Sequence, residues 1–181
     1  DIDAADLSDN IELSTVSGNI ESQQLNGRVI LTAVSGDIRD KDSKGRLKIK
    51  AISGNVVSHS SASEVEINTV SGDAELSLKE VDELSISTVS GDVDSKLSLN
   101  SDGVLKLSSV SGNFDMVFQK DVQASFRLNS NAGGDFENEL TNDRTQRAKY
   151  GPSAKLNFDV GNASASVRGS TVSGTIRLSS R

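Results

Sequence analysis

Four side chains stand out as able to recognise something: Arg144, Arg147, Lys149 and the only tyrosine, Tyr150, fall together in one aperiodic stretch. Three cations beside a ring offer charge, hydrogen-bond donors and a stacking surface to a partner bearing carboxylates, phosphates or hydroxyls. The same stretch also reads as a plain surface insertion, which needs no ligand. The single histidine, His59 in Ser58-His59-Ser60-Ser61, has no nominated partners for a metal site or a Ser/His/Asp arrangement, so it reads as an exposed turn residue. With no cysteine, disulfides, thiolate metal sites and cysteine nucleophiles are all excluded. No catalytic residue, cofactor or metal is expected.

Composition narrows the partners. The net charge is −7, and the basic residues look scattered singly along the chain, so the electrostatic footprint of a nucleic-acid binder is missing. No apolar run approaches the length of a membrane span. Asp1-Ile2-Asp3 opens no basic-then-hydrophobic signal segment, and the abrupt start inside a repeat suits a targeting segment lying upstream of the given residues. Aromatics make up only 3% of the 181 residues, so Val, Ile, Leu and Ala must fill the core, which favours narrow, regular layers. Gly133-Gly134-Asp135 shares a little with calcium-binding nonapeptide repeats. It occurs once and lacks the glycine and aspartate that should follow, so calcium is not expected.

What must position any site is a repeat. Thr15-Val16-Ser17-Gly18-Asn19-Ile20 recurs as Ala33 to Ile38, Ala51 to Val56, Thr69 to Ala74, Thr88 to Val93 and Ser109 to Phe114, and once more as Thr171-Val172-Ser173-Gly174-Thr175-Ile176. Gly18, Gly36, Gly54, Gly72, Gly91 and Gly112 are spaced by 18, 18, 18, 19 and 21 residues. Before each signature the apolar residues alternate, as in Leu84, Ile86 and Thr88, which predicts a strand with one buried face. The phase then slips: Val89, Gly91 and Val93 share the next face, so the chain must bend or bulge at the signature. A second corner is predicted at Asn26-Gly27, Ser43-Lys44-Gly45 and Asn100-Ser101-Asp102-Gly103. Two corners per repeat make a closed coil.

The sequence therefore predicts one all-β domain over 1–181, a parallel β-solenoid of about eight coils of 18–22 residues stacked at about 4.8 Å. The alternative is an antiparallel sandwich in which each Ser-Gly pair is a hairpin loop, although hairpins have no reason to keep an 18-residue interval. The repeat glycines, Gly174 included, are predicted to be structural, permitting a backbone approach that a Cβ forbids, with Ser and Asp or Asn forming polar ladders. Around Asn131-Ala132-Gly133-Gly134-Asp135-Phe136 one extra residue predicts a bulge. Residues 138–152 then lose periodicity and read as a loop insertion. Gly161 to Val167 predicts a thin penultimate coil beneath the last signature. Phe114, Phe118, Phe126, Phe136 and Phe158 are read as core.

These Thr-Val-Ser-Gly-Asp-Ile units, with Gly161-Asn162-Ala163-Ser164-Ala165-Ser166-Val167 and the final signature, resemble the bacterial putative-adhesin repeat family over nearly the whole chain. The resemblance implies a right-handed β-helix of unknown function, commonly exported, and transfers no functional residue. It places the protein outside the cytoplasm (periplasmic, cell-surface or secreted) as a non-enzymatic binding or structural module whose partner is an unknown protein or glycan of the cell envelope. Two rivals belong to other classes. A polysaccharide-active enzyme on a β-helix scaffold needs convergent carboxylates, whereas the acids here mostly recur as repeat decoration. A self-assembling scaffold would associate through its coil ends, which are unpaired edges.

Overall fold

Alternation on both sides of each signature gives two strands per repeat, and a fixed repeat length lays equivalent residues over one another. The computed structural model describes residues 1–181 and is built from seventeen β-strands, with no helix. The strands form two walls. One consists of the short strands β1 (Ile2–Ala5), β3 (Ile20–Gln23), β5 (Ile38–Lys41) and β7 (Val56–Ser60), followed by the first parts of β9 (Ala74–Thr88) and β10 (Val93–Ser109). The other consists of β2 (Ser8–Ser17), β4 (Asn26–Ser35), β6 (Lys44–Ser53), β8 (Glu64–Ser71) and the later parts of β9 and β10. All of these neighbours run parallel. The hairpin alternative is thereby excluded, because no Ser-Gly pair reverses the chain.

Six turns follow the chain in order, and then the order changes. The chain passes from β11 (Phe114–Phe118), beside β10, to β12 (Ala124–Ser130) and β13 (Asp135–Asn138), leaving a gap one strand wide on each wall. The last residues fill it. β16 (Ala165–Thr171) lies between β10 and β12, and β17 (Thr175–Ser180) lies between β11 and β13, all parallel. β15 (Ala154–Asp159) then closes the long-strand wall antiparallel to β12, with the two-residue β14 (Gln146–Arg147) on its other side. The expected eight-coil succession is thus corrected to six sequential turns plus an interleaved end. Gly161 to Val167 is not a separate penultimate coil: Ala165 and Val167 belong to the same turn as the final signature, and that turn is internal to the stack.

Inward side chains from both walls make one apolar cluster running the length of the molecule. All five phenylalanines are buried in it, with Phe126 stacked on Phe158 at 4.6 Å and edge-on to Phe118 at 5.5 Å. The second corner bends at Gln24 and Asp42, both in left-handed conformation, two residues before the predicted Asn26-Gly27 and one before the predicted Ser43-Lys44-Gly45. Those glycines already begin the next strands, and a Cβ on Gly45 would strike the carbonyl oxygen of Gly27 one level away.

Candidate functional site

The signature itself is spent on stacking. The inward residue and the glycine three positions on enclose the bend, and the two residues between them both face out. Val89 therefore points to solvent instead of sharing the inner face with Gly91 and Val93, and so do Val16, Val34, Ile52, Val70, Val110 and Val172. The predicted phase slip falls one residue later than expected because the Val-Ser pair bulges outward as a unit. Inside the bend the hydroxyl of Thr88 accepts from the Gly91 N–H at 3.1 Å, and Thr171 does the same for Gly174 at 2.9 Å, which satisfies a buried oxygen.

Three ladders then tie each level to the next. Ser35, Ser53, Ser71, Ser90, Ser111 and Ser173 donate from Oγ to the carbonyl of the Val or Ile one level away, at 3.2–3.3 Å. The Oδ1 atoms of Asn19, Asp37, Asn55, Asp73, Asp92 and Asn113 accept a backbone N–H from the next level at 2.9–3.0 Å. The third ladder is glycine alone: a Cβ on Gly36, Gly54, Gly72, Gly91, Gly112 or Gly174 would collide with the carbonyl oxygen of the neighbouring glycine. Gly134 continues this column onto Gly174, and the extra residue is Gly133, left-handed with open space around it, so the predicted bulge is present.

The four residues singled out in sequence lie in the segment that closes the far end. Asn138 organises this segment through bonds to Thr141 and Asp143, Thr145 donates to the Phe136 carbonyl, and Leu140 packs on the end of the core. Arg147 sits on β14 and pairs with Asp135 at 2.8 Å. Lys149 lies 5.4 Å from the centre of the Tyr150 ring, and that ring is 86% exposed. Arg144 is exposed. Lys149 and Tyr150 are chain neighbours that stay in contact, and the fold does not converge the four on one cavity; the segment serves as an end cap. His59 is exposed on strand β7, not in a turn, because its neighbours Ser58 and Ser60 take the inward positions.

Two features were not read from sequence. Asp40 is 2% exposed, an aspartate inside the core. Its Oδ1 accepts from Ser22 at 2.8 Å and Ser43 at 2.5 Å, and its Oδ2 from Ser58 at 3.1 Å. Its phase with the inward Ile38 was the available signal. Burial pushes the Asp40 carboxyl above its ordinary 3.8, and Asp42 adds to this, while the three serine bonds oppose it. Folding therefore takes up a proton between the unfolded and folded values. Stability is fully present below the ordinary value and declines as the pH rises through the raised one. The urea midpoint of the wild type between about pH 4 and pH 7 should fall relative to that of Asp40→Asn as pH increases. Parallel curves for the two proteins would contradict this reading.

The second feature is that the basic residues are not scattered in space. Strand alternation sets Lys44, Arg46, Lys48 and Lys50 on one outward row of β6, beside Arg28 on β4. Glu64 and Glu66 on β8 answer Arg46 and Lys48 at 2.5 and 2.7 Å. Arg28, Arg46, Lys48, Glu64 and Glu66 line a shallow groove of about 430 Å³ together with Ile30, Leu47 and Val65. On the other wall Glu75, Asp94 and Asp115 stack in register. Burial, and then the neighbouring carboxylates led by Asp115, raise Asp94 above the usual range. No group of three or more His, Asp and Glu side chains is arranged to hold a metal ion.

A family model matches residues 3–179, from the first strand to the last. The chain belongs to the Toastrack DUF4097 family. No curated protein and no solved structure matches it. The Toastrack match takes in the six regular turns, the interleaved strands and the cap alike, and the Toastrack fold is β-helix-like, in keeping with the stacked walls. This Toastrack solenoid has no helix, so none is long and apolar enough to cross a membrane.

Proposed function

We propose that the chain is a non-enzymatic binding or structural module of the bacterial cell envelope, working outside the cytoplasm. One observation carries this reading: the repeated Ser and Asx side chains are spent on the backbone of neighbouring levels. The only repeated polar chemistry in the sequence therefore builds a stiff rod with two flat walls, a scaffold suited to presenting a surface. A polysaccharide-active enzyme would need an acid and a base converging in a cleft, whereas the acids on the walls lie in columns or in ion pairs with Arg and Lys.

The test is fractionation of the native producer together with affinity capture by the purified chain. The expected result is recovery from the envelope or medium, with an envelope protein or glycan retained. Recovery only from the cytosol, with nothing retained, would reject the reading.

A further inference from the structure

We propose that the long-strand wall binds a linear acidic polysaccharide of the polyuronate class along a column of three cations, Lys106, Arg168 and Arg127. The assignment deepens the reading of the molecule as a binding module and rests on it. Lys106 on β10 is in register with Arg168 on β16, and Arg168 with Arg127 on β12. Nothing in the linear sequence groups these three. The interleaving of the last strands does so, stacking them at the interstrand spacing of about 4.8 Å.

Like charges directly opposite one another across strands are destabilising, and elsewhere the wall compensates for them. In the same column Lys48 meets Glu66, and where Arg28 lies beside Arg46 a glutamate, Glu64, neutralises the latter. In the triple only the outer members are paired: Lys106 reaches back to Glu83 at 3.3 Å and Arg127 outward to Asp159 at 2.8 Å. Arg168, in the middle, is exposed and makes no ion pair. It is flanked along its own strand by Ser166 and Ser170, both partly accessible. An unneutralised guanidinium between two further cations, bordered by hydroxyls, suits an oxyanion on a hydroxyl-bearing chain.

The strip carries no aromatic side chain. It therefore lacks both the stacking platform of single-stranded nucleic-acid binders and the Trp and Tyr anchors typical of protein hot spots. A uronate chain offers one carboxylate on each sugar ring. Laid along the solenoid axis, it can meet the column wherever its carboxylates turn toward the wall, with Arg168 able to grip one of them through two parallel N–H bonds. Because the whole chain carries −7, the attraction is local and should weaken as salt rises.

The full-length chain would be titrated calorimetrically with a galacturonate hexamer at low salt, with the neutral galactose hexamer as control. The acidic hexamer should bind and the neutral one should not. Arg168→Ser and Lys106→Ser should each weaken binding roughly tenfold or more, while Lys48→Ser, on the same wall, leaves it unchanged. Melting of Arg168→Ser should not fall, since a like-charge contact is relieved. Equal binding of the neutral hexamer, or unchanged affinity in both cation variants, overturns the assignment. Concentration-dependent self-association abolished by Arg168→Glu also overturns it, in favour of a second copy docking its Glu75, Asp94 and Asp115 column. Shortening of the hexamer during the titration would instead overturn the non-enzymatic reading.

Discussion

A chain ended after Asn162 is expected to lose the folded structure of its far end while keeping its first turns. Such a chain lacks β16 and β17 and with them Ala165, Val167, Ile176 and Leu178, all at 0–3% exposure. At about 1.5–3 kcal/mol for each larger aliphatic, the lost burial alone approaches the whole stability of an ordinary domain. The damage is local because β12 and β13 lose the parallel partner joining them to the regular turns, and only the antiparallel β15 remains beside β12. Hydrogen exchange read by mass spectrometry should show residues 124–159 exchanging freely while residues 20–71 stay protected. Protection of 124–159 in the shortened chain would mean that the interleaved strands are not what holds the end in place.

Gly72→Val should destabilise the protein by several kcal/mol, and Asp92→Ala by under about 1 kcal/mol. Gly72 has φ +143, and a Cβ there would meet the carbonyl of Gly54, a backbone group of the neighbouring level and not a flexible side-chain end. Neither neighbour can give way without separating two levels, and the next level in turn sets Gly91 against the Gly72 carbonyl. Asp92, by contrast, accepts from the backbone and side-chain nitrogens of Asn113 at an exposed corner where water can replace it. Thermal melts of the two variants compare these effects directly. Similar small shifts for both would rule out close glycine stacking as the element that fixes the interval between turns.

The solenoid was legible because its cause is local and repeated: glycines at a constant interval and alternation on either side of them. The direction of the bulge was not legible, since Val89 can satisfy alternation with Val93 or with Ser87, and only the three-dimensional bend decides. The interleaving was hidden for a different reason. Gly134 and Gly174 both fit the level above Gly112, and nothing along the chain says which one takes it. Asp40 could have been caught, because Ile38-Arg39-Asp40-Lys41 puts it in phase with a buried isoleucine. Residues Arg144 to Tyr150 drew notice by composition, and what the fold makes of them is an end cap with Tyr150 and Lys149 left at the surface.

The filling of an internal level by the last strands also bears on how the protein is made. Turns one to six can accumulate as the polypeptide leaves the ribosome, each docking on a finished neighbour. β12 and β13 emerge before the strands that must lie beneath them, so they wait without a floor while some forty further residues are translated. During that interval the facing edges of β10, β11, β12 and β13 are all unpaired, which makes this the stage at which the chain most needs a chaperone.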